Sequence, residues 1–272
     1  MGSVIDALLV SKYERLQQVI GDLAPVAVAF SGGADSSLLL GAAVTATGKP
    51  VAALFADSAL LKSEERSSAQ ETALALGGRF QVQALDPLSW PEFVANSPDR
   101  CYHCKKKIYS LFLATLPAGH CLLDGAHTDD LGEDRPGLRA ARELGVRSPL
   151  IAAGLGKQEV RLLSRRLELP TWNRLSSSCL ATRIPAGSEI TADRLLLVNS
   201  CEDQLSRAGF LGCRVRLSGL SVRIELCETD LARFVGSKAM AETRDYMCSL
   251  GVEKVFLDLN GRPGIEVDAD FP

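Results

Sequence analysis

The segment Ser31–Ser36, Ser-Gly-Gly-Ala-Asp-Ser, restricts the fold of this chain more than any other. It follows Pro25–Phe30, a short apolar run typical of a buried strand, and it leads into a predicted helix over about 35–47. Glycines at such a junction let the backbone approach an anion closely, and the free N–H groups of the helix start point toward it. The order strand, glycine loop, helix therefore predicts a phosphate-binding loop. The alternative is a glycine turn that only connects the two elements.

The side chains of this loop add to the backbone argument. Gly32 and Gly33 allow the close approach, Ser31 and Ser36 can donate hydroxyl hydrogen bonds, and Asp35 can orient a magnesium ion. The lysine of a Walker A loop is missing, so the pattern differs from that of P-loop NTPases.

Strands and helices alternate along the first part of the chain, which predicts an α/β fold with a parallel sheet covered on both faces. Further predicted strands are 51–56, 79–85 and 120–124, and further predicted helices are 1–23, 63–76, 139–144 and 157–167.

The pattern changes after about Pro185. Thr191 is a predicted N-cap of a helix that ends near Ala208, and two segments of alternating polarity, 213–217 and 221–226, predict a hairpin. A helix over 228–250 and a strand over 254–259 would complete a small α+β unit. We therefore expect a parallel-sheet domain over 1–185 and a small α+β domain over 186–272.

Composition excludes several classes of protein. The 272 residues carry a formal charge of −3, which argues against a strongly basic nucleic-acid-binding face. No apolar run approaches the roughly 18 residues of a membrane span. Eight cysteines in this length are too few for a secreted disulfide scaffold. We expect a cytoplasmic protein with a small-molecule substrate and with neither nucleic acid nor membrane as a partner.

Three cysteines lie in segments that suggest chemistry. Cys101 and Cys104 have the C-x-x-C spacing of a metal site or a redox dithiol, and their alternative is loop packing. Cys179 stands in a polar stretch that includes Ser176 and Arg183. Arg183 could lower the pKa of the Cys179 thiol or hold a phosphate. The alternative is an inert, half-buried cysteine.

The phosphate loop resembles that of the PP-loop ATP pyrophosphatases, and several further stretches resemble one branch, the LarE family of ATP-dependent sulfur transferases. The resemblance spans about residues 8–262, with two departures at Arg174-Leu175 and at 260–264. The matching stretches are 97–105, 124–130, 135–138, 145–150, 178–185, 214–216 and 222–225.

The resemblance implies an enzyme that uses ATP with Mg²⁺ to adenylate a carboxylate of a pyridinium mononucleotide. The product would be a thiocarboxylate destined for a nickel-pincer cofactor. Adenine would lie near the end of the second strand, at Asp57 and Ser58, for which a plain strand-end turn is the alternative. Cys179 would attack the adenylated carboxylate.

Two sources of sulfur are compatible with these residues. In one, the Cβ–S bond of Cys179 breaks and dehydroalanine remains. In the other, Cys101, Cys104 and Cys179 ligate a 4Fe–4S cluster whose fourth iron holds an extra sulfide. Because both C-x-x-C cysteines are present, the cluster is the slightly favoured version, and Cys179 is then a ligand.

The remaining candidates are charged residues. Asp129 and Asp130 would coordinate magnesium or position the nucleotide, or form a solvated turn. Arg214 and Arg216 share one face of a predicted strand and could contact a substrate phosphate. Two acidic candidates, Glu202 and Glu225, match acidic positions implicated in the family, and each could equally be an exposed surface carboxylate. The resemblance also implies a homo-oligomer.

Other functions compete with this one. A PP-loop tRNA thiolase would be expected to have a basic face or an added RNA-binding domain, and an amide-forming synthetase would need an ammonia source. A non-catalytic nucleotide-binding or iron–sulfur carrier belongs to a different class. Such a carrier would release no pyrophosphate from ATP.

Overall fold

A computed structural model describes residues 2–62, 64–132, 136–175 and 177–262. Ser63, Arg135, Ser176 and the residues after Arg262 lie outside the described part. The first residue of the helix predicted over 63–76, the first residue of the resembling stretch 135–138 and the last two residues of the 260–264 departure therefore lie outside it as well.

The first half of the chain forms a four-stranded sheet in the order β3-β2-β1-β4, and every neighbouring pair is parallel. Its strands are β1 (Val26–Ala29), β2 (Ala52–Asp57), β3 (Arg79–Ala84) and β4 (Cys121–Leu123). The predicted parallel sheet is confirmed. Strand β1 lies inside the sheet, with β2 on one side and β4 on the other. The chain runs from β1 outward to β2 and β3 and then returns to β4 on the opposite side of β1, so the strand order reverses at β1. The loop after β1 lies at this point. Ligands of open α/β sheets bind at such a point.

Helices cover both faces of this sheet, as its apolar strands require. In chain order they are α1 (Gly2–Leu23), α2 (Ala34–Thr47), α3 (Glu65–Ala75), α4 (Pro91–Val94), α5 (Arg100–Thr115), α6 (Pro136–Glu143), α7 (Pro149–Ala152) and α8 (Lys157–Arg166). One core joins α1, α2 and α8 through Leu16, Leu39 and Val160. The core on the other face includes Tyr109 and Phe112 of α5.

A second sheet of three strands follows, in the order β5-β6-β7. The predicted hairpin is present, with antiparallel pairing from Arg214↔Glu225 to Ser218↔Ser221. Strand β7 pairs parallel to β6. The elements are α9 (Ala192–Arg207), β5 (Arg214–Ser218), β6 (Ser221–Glu225), α10 (Glu228–Phe234), α11 (Lys238–Ser249) and β7 (Lys254–Leu257).

The single helix predicted over 228–250 is wrong, because the structure has two helices there. The break has a local cause. Gly236 adopts a left-handed φ of 75°, and the Ser237 side chain caps α11 by accepting from the Met240 N–H at 3.2 Å.

The core of the second sheet is shared with the first half of the chain. Val215 and Ile224 of the sheet pack in one cluster with α9, and the same cluster contains Leu60, Trp90 and Phe93. This shared core fixes the second sheet against the loop that follows β2. Among the described residues, no helix is long and apolar enough to cross a membrane.

Candidate active site

The phosphate loop lies between β1 and α2, and Gly33 is the residue that caps the helix. The two hydroxyls of Ser31 and Ser36 are 3.1 Å apart, and Ser36 Oγ donates to the Gly33 carbonyl at 3.2 Å. Gly32 has a left-handed φ of 75°. The loop is therefore held in a curved form by its own serines, with the first N–H groups of α2 at its centre, as an anion-binding loop requires.

Asp35, in the first turn of α2, lies near several charged groups. Burial raises the pKa of its carboxyl, and the nearby His127 and Lys157 act in the opposite direction. The end of β4 comes very close to this turn, since a Cβ on Gly125 would lie 3.2 Å from the Ser36 nitrogen. The glycine of the Asp-Gly-Ala stretch thus brings His127 next to the phosphate loop.

The other predicted nucleotide-binding residues have definite partners. Asp129 accepts from the Lys157 N–H at 2.6 Å at the start of α8, and Asp130 accepts from the His127 N–H at 3.0 Å. At the end of β2, Asp57 accepts from Arg66 at 2.8 Å, and Ser58 Oγ accepts from the Leu60 N–H at 3.3 Å. Asp129 therefore lies at the start of α8, whereas Asp57 and Ser58 form a strand-end turn with an ion pair.

A cleft of about 690 Å³ connects the phosphate loop with Cys179. Ser31 and Asp35 line one part of it, and Cys179 with Cys213 lines another. Among the described residues, four carboxylates also line it, Asp35, Glu64, Glu65 and Glu71, and six cationic side chains outnumber them. The cations are Lys62, Lys157, Arg161, Arg174, Arg183 and Arg262. Such a cleft suits a substrate with several negative charges.

Cys179 is held in a turn that ends in Arg183. Burial raises the pKa of the Cys179 thiol, and the positive charge that most opposes this shift is Arg100, which donates to the neighbouring Ala181 carbonyl at 3.0 Å. The effect of Arg183 on the thiol pKa stays a prediction. Arg183 donates to the Ser178 carbonyl at 3.0 Å and to Thr182 Oγ1 at 2.7 Å, and so fixes the turn itself.

Glu202 of α9 is fully buried and anchors this turn. Its carboxylate accepts from Arg183 Nε at 2.8 Å and from the Val215 N–H at 3.0 Å, and Lys62 Nζ lies 3.0 Å away. Burial alone would raise the pKa of the Glu202 carboxyl, but the hydrogen bond and charge of Arg183, aided by Lys62, hold it below the usual value. The interpretation of Glu202 as a surface carboxylate is therefore wrong.

Removing the charge of Glu202 is expected to destabilise the fold. Glu202→Gln leaves Arg183 and Lys62 without their buried counter-charge, and we expect the free energy of unfolding at pH 7 to fall by about 3 kcal/mol. Urea unfolding measures it. Glu242→Gln, which breaks an exposed pair with Lys238, is the control and should leave stability nearly unchanged.

The same carboxylate predicts a pH dependence. Because its pKa is lower in the folded than in the unfolded chain, Glu202 stabilises the fold above about pH 4.5 and loses that contribution as the pH falls further. The difference between wild type and Glu202→Gln should therefore shrink in acid. A difference that stays constant from pH 7 to below the folded pKa would contradict this assignment.

The remaining arginines crowd around the turn. Arg216 donates to Glu225 and, through Nη1, to the Thr182 carbonyl at 3.0 Å. Burial and the charges of Arg262, Arg183 and Arg216 lower the pKa of Arg214 to about 10. Glu225 is also buried, so its interpretation as a surface carboxylate is wrong. Positive charge held this close together is typical of a site for an anion.

The three cysteines of the predicted cluster lie in one region. Cys104 is partly buried, and burial followed by the charges of Cys179 and Cys101 raises the pKa of its thiol to about 12. Cys101 is exposed on the first turn of α5. Within the described ranges, however, no three His, Cys, Asp or Glu side chains are grouped closely enough to hold a metal ion. This geometry does not fit an iron–sulfur cluster.

Five cationic residues of the cleft escaped sequence reasoning: Lys62, Lys157, Arg161, Arg174 and Arg262. Arg174 and Arg262 lie in the two departures from the family's pattern, and the other three had no such signal. Their shared position in the cleft depends on contacts between distant parts of the chain.

The parallel sheet, its phosphate loop and the cationic cleft define an α/β protein consistent with the PP-loop class of nucleotide-using enzymes. No family model matches the chain. It is 37% identical over 258 residues to the pyridinium-3,5-bisthiocarboxylic acid mononucleotide synthase of Lactiplantibacillus plantarum, covering 94% of this chain and 93% of that enzyme. The chain belongs to the LarE family, of which that synthase is a member.

Two further relatives are themselves uncharacterized. A protein of Synechocystis is 36% identical over 256 residues, covering 93% of this chain and 96% of the relative. A protein of Methanocaldococcus jannaschii is 29% identical over 241 residues, covering 86% and 89%. The similarity in all three extends through both sheets.

Proposed function

We propose that this chain is an ATP-dependent sulfur transferase that converts a carboxylate of a pyridinium mononucleotide into a thiocarboxylate for nickel-pincer cofactor synthesis. The observation that carries the proposal is the single cleft that contains both the phosphate loop and Cys179. An enzyme that activates a carboxylate with ATP and then attacks it with a thiol needs both groups at one substrate.

ATP would bind with its phosphates on the loop Ser31–Ser36. The N–H groups at the start of α2 and the cations Lys157 and Arg161 offer the positive charge that phosphates need. Asp35 and Asp129 are the carboxylates proposed to hold Mg²⁺ on those phosphates. Adenine would lie beside the strand end at Asp57 and Ser58.

The first chemical step joins the substrate carboxylate to AMP and releases pyrophosphate. A carboxylate is a poor acyl donor, and the acyl-adenylate makes AMP the leaving group. The Cys179 thiolate then attacks the acyl carbon, the bond to AMP breaks and a thioester forms. Loss of the cysteine α-proton and cleavage of the Cβ–S bond would release the thiocarboxylate and leave dehydroalanine.

The substrate's own phosphate would bind among the arginines next to Cys179. Arg214 and Arg216 are the proposed ligands, with Arg262 adding positive charge. Glu225 would orient Arg216 and Glu202 would hold Arg183 at the turn, since each carboxylate accepts a hydrogen bond from its arginine.

We further propose how the protein is organised. A division into 1–185 and 186–272 follows the two sheets, although their shared core makes the boundary a tightly packed one. A cytoplasmic homo-oligomer that binds neither nucleic acid nor membrane fits a small-molecule biosynthetic enzyme.

The test is a reaction of purified protein with ATP, Mg²⁺ and a carboxylated pyridinium mononucleotide. We expect pyrophosphate, AMP and a thiocarboxylate in the mass spectrum. Binding of ATP without pyrophosphate release would contradict the proposal and point to a nucleotide-binding carrier. Pyrophosphate release that depends on added tRNA would point to a tRNA thiolase instead.

The source of the sulfur is tested on the same sample. Anaerobically purified protein free of iron and acid-labile sulfide that makes one product per chain, and whose Cys179 peptide loses the mass of H₂S, would establish sacrifice of Cys179. About four irons per chain and repeated turnover would establish the cluster and overturn the sacrificial step.

A further inference from the structure

Two loops that meet in the cleft are joined by Arg174. We infer that Arg174 is a positioning residue that ties the phosphate loop to the segment carrying Cys179. The effect of Arg174 on catalysis rests on the proposed function, whereas the positioning contact itself is tested without any reaction. Arg174 lies five residues before Cys179 and is half-buried in the wall of the cleft.

The guanidinium of Arg174 contacts two elements at once. Nη1 donates to the carbonyl of Gly32 in the phosphate loop at 2.6 Å, and Nη2 donates to Ser68 Oγ on α3. A planar fork of donors can satisfy two acceptors in fixed directions, whereas a lysine ammonium acts as a single point charge. Arg174 therefore holds the phosphate loop in a defined position relative to α3.

The backbone around Arg174 is anchored as well. Arg161 of α8 donates to the Trp172 carbonyl at 3.3 Å and to the Arg174 carbonyl at 3.2 Å. Further along, Ser177 donates to Glu65 at 2.7 Å, and the Leu180 N–H donates to the Leu60 carbonyl at 3.0 Å. The residues on both sides of Cys179 are thus bonded to the elements that flank the phosphate loop.

Leu175 extends the connection to the second sheet. It packs on Gly212, just before β5, and a Cβ on Gly212 would overlap the Leu175 side chain. A change at the phosphate loop would therefore reach both Cys179 and the arginines of β5 through one short segment. By this connection, filling of the ATP site would set the position of the thiol.

The test is the reactivity of Cys179 without ATP. In Arg174→Met we expect iodoacetamide to modify Cys179 at least about fivefold faster than in wild type, the effect of losing an ordinary hydrogen bond. Exposed Cys248 on α11 is the internal reference in the same mass spectrum. Arg165→Met, at an exposed arginine of α8 beside Trp172, is the control and should match wild type.

A second variant keeps the test valid if Arg174→Met does not fold. Arg174→Lys keeps the charge but cannot make both hydrogen bonds, so Cys179 should again react faster. Equal rates in wild type and Arg174→Lys would overturn the inference. If the rate of Cys179 modification is unchanged in the Arg174 variants and only the KM for ATP rises, Arg174 is a phosphate ligand and the inference is likewise overturned.

Activity then separates this inference from the proposed function. We expect Arg174→Lys to lower the single-turnover rate of thiocarboxylate formation more than it lowers the rate of pyrophosphate release. If wild type makes no thiocarboxylate and Cys179 still reacts faster in the variants, the positioning contact stands and the proposed function fails. If pyrophosphate release and sulfur transfer fall equally in a folded variant, the coupling between the two sites is overturned.

Discussion

Cys179→Ala is expected to abolish thiocarboxylate formation, by about a thousandfold or more, while pyrophosphate release from ATP stays within about twofold of wild type. The reason is the layout of the cleft. The phosphate loop precedes α2 and the cations Lys157 and Arg161 lie on α8, whereas Cys179 lies in another part of the cleft. Removing the thiol therefore removes the nucleophile of the second step and leaves the groups of the first step in place. Product mass and pyrophosphate release are measured in the same reaction.

Two other cysteines give this experiment its controls. Cys248→Ala changes an exposed residue on α11 and should leave both activities unchanged. Cys101→Ala distinguishes the two sulfur sources. Product formation persists if Cys179 is sacrificed, because that step needs no other thiol, and it stops if a cluster needs all three cysteines. Product formation at the wild-type level by Cys179→Ala would contradict any role of this thiol in sulfur transfer.

The phosphate loop could be predicted from the sequence because its cause is local. An apolar strand, two glycines and a helix start lie within a few consecutive residues, and each is restricted by its own backbone and hydrogen bonding. The hairpin of β5 and β6 was predictable for the same reason, from strict alternation around Ser218–Ser221. The break at Gly236 was missed because the helical pattern of side chains continues through it.

The charged part of the site could not be predicted in this way. Arg183 and Glu202 are 19 residues apart, and Arg174 and Gly32 are 142 apart. Each pair joins segments that are distant in the sequence, and local sequence carries no signal of such a contact. The choice between a surface and a buried carboxylate at Glu202 depended on contacts of this kind.

The environment of Cys179 shows how burial can outweigh local polarity. Its neighbours in sequence are serines and Arg183, which predicted an activated thiol. In the fold, Arg183 is committed to Glu202 and to the backbone of the turn, so its charge is compensated. Burial then dominates and raises the thiol pKa.

The second large effect is expected at Gly32. Gly32→Ala forces a side chain onto a backbone with φ of 75° and places its Cβ 2.9 Å from the Ala69 Cβ on α3. The backbone strain alone costs about 1 kcal/mol, and the overlap pushes the phosphate loop away from α3 and from Arg174. We expect the Kd for ATP to rise by about tenfold to a hundredfold, as isothermal titration would measure it, and pyrophosphate release at limiting ATP to fall in parallel.

A second substitution separates the two causes of the lost ATP affinity, which are the strained backbone and the overlap with Ala69. Ala69→Gly removes the nearest atom that the new Cβ would meet and leaves the Ala69 Cα at 3.1 Å, so the double variant Gly32→Ala/Ala69→Gly should recover part of the ATP affinity. Ala69→Gly alone measures the cost of a glycine within α3, which is about 1 kcal/mol of helix stability. Because the left-handed backbone remains strained in the double variant, recovery should be incomplete. An ATP affinity of Gly32→Ala equal to that of wild type would contradict the assignment of this loop as the phosphate site, since a loop displaced from α3 cannot present the same N–H groups to a nucleotide.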